Sequence, residues 1–177
     1  MVGYVKYMND QNSGLIQEKE VDGLVFKVKY LTPELMALND LKTITPAKSD
    51  FNARLKEYAG LDYYNVTVGS KRADGHVLAV LEDEGIDPVK AEDFLNFNMQ
   101  ANIQSVEGAD TGKCVLYLLS KTYGLSKEYN IQAGLDVGKH STRNDKTFEM
   151  NTDLLNRGLL KFRFKQEDID RIPSLTF

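Results

Sequence analysis

The segment Gly108-Ala109-Asp110-Thr111-Gly112-Lys113 comes nearest to a chemical motif in this sequence. A phosphate-binding loop cradles phosphate oxygens with backbone N–H groups. It needs four residues between its glycines, a Ser or Thr after the lysine for magnesium, and a following helix with its positive end toward the anion. Here three residues separate the glycines and Cys114 follows the lysine. The next segment is patterned as a strand, so a phosphate cradle is excluded, and Gly134-Leu135-Asp136-Val137-Gly138-Lys139 fails in the same way. Metal binding would draw on His76, His140, the acidic run Glu82-Asp83-Glu84 and Asp87. Neither histidine has a second ligand at a helical or strand spacing, and the acids lack the alternation of a calcium loop, so the run reads as a solvated loop.

Nucleophilic chemistry fares no better. Cys114 would need a neighbouring cation or a helix N-terminus to hold a thiolate, whereas it shares an alternating row with Leu116 and Leu118 and reads as a core cysteine. No G-x-S-x-G elbow is present, and two histidines in separate regions assemble no serine triad. With 26 acidic residues some carboxylate pair always exists, which singles out none for glycoside chemistry. Asn65-Val66-Thr67 is a formal glycosylation acceptor, but it falls inside an expected strand, where acceptor sites are not usual. The expectation is a protein without catalytic residues, cofactor or metal. One surface set stands out: Lys161, Arg163 and Lys165 share a strand face beside Glu167, Asp168 and Asp170. Such mixed charge fits a solvated edge or a partner-contact surface, not a nucleic-acid site.

The elements that must carry these residues follow from composition and periodicity. The chain has 177 residues, 42% of them hydrophobic and 27% charged, with four prolines, which is ordinary globular usage and excludes a disordered or low-complexity protein. A net charge of -4 with scattered Lys and Arg argues against non-specific nucleic-acid binding. No run is long and apolar enough to span a bilayer as a helix. A single cysteine provides no disulfide framework.

Val21-Asp22-Gly23-Leu24 predicts a two-residue hairpin turn between a strand from Gly14 and an alternating strand, Leu24, Phe26, Val28 and Tyr30. Thr32-Pro33-Glu34 predicts a capped helix start, and so does Asp87-Pro88. Ser49-Asp50 opens another helix with Phe51, Leu55 and Tyr58 on one face and Gly60 beyond its end. Strands are expected from Tyr63 to Val68 and from His76 to Leu81, with Lys71 to Gly75 as the turn between them. From Leu95 to Gln104 the period is two, so a strand is preferred there to an extension of the helix from Pro88. Further strands carry Cys114 to Leu119, Tyr129 to Val137, Phe148 with Met150, and Leu160 to Phe164. The fold expected is mainly β, an antiparallel β-sandwich or open barrel with two or three short helices inserted. Residues 1–13 read as an N-terminal tether or first loop, and 14–177 as a single β-rich domain.

Gly14 to Val21 leading into Phe26 to Tyr30, Phe97 to Gln100, Cys114 to Tyr117 with Tyr123-Gly124-Leu125, and Leu160 to Phe164 with Ile169 to Pro173 carry a resemblance. In these segments the chain resembles a group of uncharacterised exported lipoproteins of Gram-negative envelopes. That resemblance implies a location in the cell envelope, periplasmic or at the outer membrane. It implies membrane contact only through a lipidated cysteine upstream of this sequence, and it supplies no catalytic residues. Met1-Val2-Gly3-Tyr4 shows no export signal, as a cytoplasmic protein would not either. The leading expectation is a non-enzymatic binding or scaffold domain that meets a protein partner through strand edges and loops. Two alternatives are a carrier of a small apolar ligand in a cavity beneath the helices after Thr32 and Ser49, and a structural component of a secretion or phage-like assembly.

Overall fold

The computed structural model describes residues 1–43, 45–72, 76–120, 127–136, 138 and 144–176. Eight strands form one antiparallel sheet: β1 Ile16–Val21, β2 Leu24–Leu31, β3 Asp62–Ser70, β4 Ile103–Glu107, β5 Asp110–Leu119, β6 Tyr129–Asp136, β7 Lys146–Asn151 and β8 Leu159–Phe164. Their order is β1-β2-β3-β6-β5-β4-β7-β8. The sheet curls until its edge strands meet side by side, giving a nearly closed barrel. Lys19 of β1 lies over the Phe162 ring of β8 at 5.7 Å, and Arg157, just ahead of β8, donates to the Val21 carbonyl at the end of β1. The mainly β antiparallel fold is thus as expected.

Period-two rows build the lumen. Phe26, Val28 and Tyr30 of β2, Tyr64, Val66 and Val68 of β3, Ile131, Ala133 and Leu135 of β6, and Leu160, Phe162 and Phe164 of β8 are all buried. Rings from opposite walls fill the axis: Tyr64 lies 4.8 Å from Phe148 and 5.5 Å from both Tyr30 and Phe164. Edge-on and tilted contacts of this kind add to the burial of aromatic area. The turn between β1 and β2 has positive φ at both Asp22 (45°) and Gly23 (76°), the two-residue geometry that matches strand twist.

Six helices are described, more than the two or three expected: α1 Val2–Asn9, α2 Pro33–Leu41, α3 Lys48–Glu57, α4 Val77–Asp83, α5 Pro88–Asp93 and α6 Gln166–Asp170. Two starts follow the sequence rule, with Thr32 Oγ1 accepting from the Leu35 amide at 3.2 Å and Asp87 Oδ1 accepting from Val89 at 2.9 Å. Tyr4 and Met8 of α1 are buried, and Tyr4 hydrogen-bonds Thr32, so residues 2–9 belong to the packed body instead of forming a tether. Residues 10–15 supply the first loop. Phe51 of α3 is buried as its stripe required, and the Tyr58 ring meets Tyr63 at 5.7 Å.

Three strand expectations are corrected. Val77, Val80 and Leu81 are buried at i, i+3 and i+4, so the apolar run after His76 is α4, not a strand. An uninterrupted apolar run carries no period to separate the two. The Asp-Gly expected between β3 and that run lies outside the described residues. After α5 the chain continues as a π-turn, Phe94–Asn98, and a 3-10 turn, Met99–Asn102, before β4 begins. In the row Leu95, Phe97, Met99, Ala101, Ile103, only the members four apart, Leu95, Met99 and Ile103, are buried, while Phe97 is 73% exposed. Every period-two row contains an i, i+4 subset; here Leu95 and Met99 lie on the buried face of the helical turns, and Ile103 opens β4. Finally, the β5–β6 register shifts between Cys114 and Leu116. A bulge at Val115 turns the following residues over, so Leu118 is exposed, and Tyr117 and Leu119 pair with the inward Ala133 and Ile131. Gly134 is the residue that permits it, because a Cβ there would stand 3.0 Å from Leu116 Cβ and 3.2 Å from Tyr63 Cε1.

Candidate functional site

Lys161 and Arg163 of β8 and Lys165 just beyond it are exposed, and each is already paired within the chain. Lys161 reaches Glu149 at 2.7 Å, Arg163 reaches Asp145 at 2.8 Å through Nε, and Lys165 reaches Glu167 at 3.3 Å. The Gln166 amide and the Arg163 guanidinium hold the Asp145 carboxyl below the usual carboxylate range. Hydrogen bonds from Lys161 and Gln104 do the same for Glu149. The stripe is a neutralised ladder in which exposed cations pair with acids that are buried (Glu149), half-buried (Asp145) or exposed (Glu167), which leaves a partner little free charge.

The remaining sequence candidates serve the fold. Gly108-Ala109 forms the β4–β5 hairpin turn, with Glu107 opposite Asp110, and a strand follows it. Asp83 pairs with Arg72, Glu84 with Arg157, and Asp87 caps α5. His76 is the N-cap residue of α4, and His140 lies outside the described residues. Cys114 is half-buried, its thiol donates to the Leu116 carbonyl at 3.2 Å, and burial pushes its pKa up to about 11. That is the opposite of an activated nucleophile. Asn65-Val66-Thr67 sits within β3, where Thr67 donates to Asn130 at 3.0 Å.

Two features were not singled out by the sequence. The first is an edge. β5 has ten residues and β4 five, and β4 pairs only with Asp110 to Lys113. Among the described residues no strand pairs with that side of Val115 to Leu119. Ser120 donates to the Asn130 carbonyl at 2.8 Å, so by the alternation of an antiparallel ladder the N–H and C=O groups of Tyr117 and Leu119 point away from β6, toward the unpaired side. The segment after α5 approaches here, as Gln100 donates to the Cys114 carbonyl and the Tyr117 hydroxyl to the Leu95 carbonyl. Val115 (54%), Leu118 (53%) and Phe97 (73%) stand exposed on these adjoining segments.

The second is a polar cluster inside the lumen, at the end where β3 and β7 begin and β4 ends. Lys146 Nζ lies 2.8 Å from Asp62 Oδ2 and 2.8 Å from Glu107 Oε2, and all three residues are buried. Burial raises the Asp62 carboxyl above its ordinary value even though Lys146 pulls it down. Burial alone would lower the Lys146 ammonium, but the charge of Asp62 and the bonds to both carboxylates outweigh this and raise it. Tyr30 donates to Asp62 at 3.5 Å. Beside them Tyr64 Oη and Ser105 Oγ are buried and make no well-formed hydrogen bond among the described residues, though Ser105 is near enough to Tyr64 to oppose the burial that raises its pKa.

No family model, no curated protein and no solved structure matches the chain. The reading of the site therefore rests on geometry. A signal for the lumen cluster was present in the rows Asp62-Tyr64-Val66-Val68, Ile103-Ser105-Glu107 and Lys146-Phe148-Met150, where a charge stands in register with buried apolar residues. The axis that a small-ligand carrier would leave empty is occupied by the rings of Tyr30, Tyr64, Phe148 and Phe164.

Proposed function

We propose that this chain is a non-enzymatic binding domain of the envelope-lipoprotein type, which holds a protein partner by adding an extended segment of that partner to the unpaired half of β5. One observation carries the reading: β5 outlasts β4 by five residues and turns the main-chain groups of Tyr117 and Leu119 toward a side where no strand pairs among the described residues. Alternating N–H and C=O groups at strand spacing are matched by another extended backbone. Val115, Leu118 and Phe97 would flank the added strand, so the partner segment carries apolar side chains. The envelope location draws on the resemblance to exported lipoproteins, which implies a lipid anchor upstream of this sequence.

Site-specific photocrosslinking in native membranes tests it. A photoreactive residue at Leu118 is expected to capture one defined protein, and the same probe at Lys161, on the neutralised stripe, is not. Capture that is equal from both positions, or absent from Leu118, overturns the reading. So does a native full-length protein that stays in the aqueous phase on detergent partition, as regards the anchor.

A further inference from the structure

The Lys146 cluster is independent of the β5 edge. Lysine, aspartate and glutamate are seldom buried, and an ammonium flanked by two carboxylates carries a net negative charge in an apolar lumen unless one carboxyl holds a proton. Asp62 is the carboxyl that burial favours as the neutral acid. The amine nitrogen is held against the Asp62 carboxyl, which burial disposes toward the neutral, electrophilic acid, on one side and the Glu107 carboxyl on the other, each oxygen at 2.8 Å. The strands fix this geometry. Lys146 and Glu107 are cross-strand neighbours on β7 and β4, whereas Asp62 comes from β3, with β6, β5 and β4 lying between it and β7 in the sheet. Reactive groups held at contact distance in a dry site react as though at very high concentration, and exclusion of water protects the product from hydrolysis.

We propose that Lys146 and Asp62 become joined by an amide bond from Nζ to Cγ, with Glu107 as the proton relay. Glu107 takes a proton from the Lys146 ammonium and frees the nitrogen lone pair. The amine adds to Cγ of protonated Asp62, and the C–O bond to one carboxyl oxygen breaks as that oxygen leaves as water. The nitrogen keeps one hydrogen, and Glu107 ends as the neutral acid beside the new amide. One water is released, and no oxidant or reductant is needed. The product is a covalent tie across the lumen between residues 84 positions apart, in a chain whose single cysteine forms no internal disulfide.

Intact mass spectrometry of the purified full chain tests this. Folded wild-type protein is expected about 18 Da below its sequence mass, the loss of one water. Its digest should contain a branched peptide joining Lys146 to Asp62, which separates the tie from water loss by cyclisation at Asp22-Gly23. Glu107→Gln, nearly isosteric with the native side chain, should fold and keep its full sequence mass. Wild-type protein at full mass overturns the proposal, and that result depends on no variant folding. A branched peptide joining Lys146 to Glu107, or the same water loss and Lys146–Asp62 peptide in Glu107→Gln, overturns the assigned roles.

Discussion

Arg157 and Lys146 are buried near opposite ends of the barrel. Arg157 is held mainly by main-chain oxygens, and Lys146 by two carboxylates. Arg157 donates to the carbonyls of Val21 (3.1 Å), Asp22 (2.8 Å) and Leu155 (3.0 Å) and to the Glu84 carboxylate. It stitches the β1–β2 turn, the end of α4 and the approach to β8 together where the sheet edges meet. A planar fork with several fixed donors suits this task, and a lysine could not satisfy the same set. Lys146, a point charge, meets Asp62 and Glu107 across the lumen, with the buried Tyr64 and Ser105 hydroxyls close by. The first arrangement caps groups that do not titrate. The second buries groups that do titrate, a costly desolvation that makes that end responsive to protons.

The largest effect that can break this contrast is Lys146→Met. Losing the amine removes both the cation and the proposed amide to Asp62, and the two acids left buried together should cost about 3–5 kcal/mol at neutral pH. Burial already holds the Asp62 carboxyl above its unfolded value of about 4, and without the cation nothing offsets it, so the folded chain binds more protons in that window and stability falls as pH rises through it. Denaturant unfolding should therefore show the variant regaining stability as pH is lowered toward 5, and an equal loss at pH 5 and 8 would sink this account. Arg157→Met should cost less, about 2–3 kcal/mol, because the rim carbonyls and the partly exposed Glu84 can be rehydrated. Its loss should change much less than that of Lys146→Met over the same pH range. A loss confined to one side of neutrality would mean that Glu84, not the carbonyls, dominates. The smallest effect is Tyr64→Phe, which deletes a buried hydroxyl whose contact with Ser105 is not a well-formed hydrogen bond. Thermal unfolding should show it neutral or stabilising by about 1 kcal/mol. A clear destabilisation would mean that Tyr64 and Ser105 are bonded, directly or through a water.

How far these ends could be read from sequence differs. The hairpin at Asp22-Gly23, the caps at Thr32 and Asp87, and the inward rows of β2, β3, β6 and β8 were legible, because each depends on residues within a turn or a strand length of one another. Lys161, Arg163 and Lys165 were legible as one exposed face, but their pairing with Glu149, Asp145 and Glu167 was only partly local and left the stripe neutral. The Lys146 cluster escaped, since Asp62, Glu107 and Lys146 come from three distant strands and look like ordinary charges one at a time. So did the unpaired half of β5, which depends on where β4 stops.

The sequence by itself determined the antiparallel β class, the turn and cap positions and most of the lumen rows, since chirality, period and capping act over a few residues. Only the tertiary structure decided that Leu95 and Met99 lie on a helical face, that Val115 bulges against Gly134, and that α1 packs into the body. These outcomes depend on which surface is available to bury each side chain, and that surface exists only once distant strands have met. The same holds for the amine of Lys146, which acquires its two carboxylates only when the sheet closes on itself.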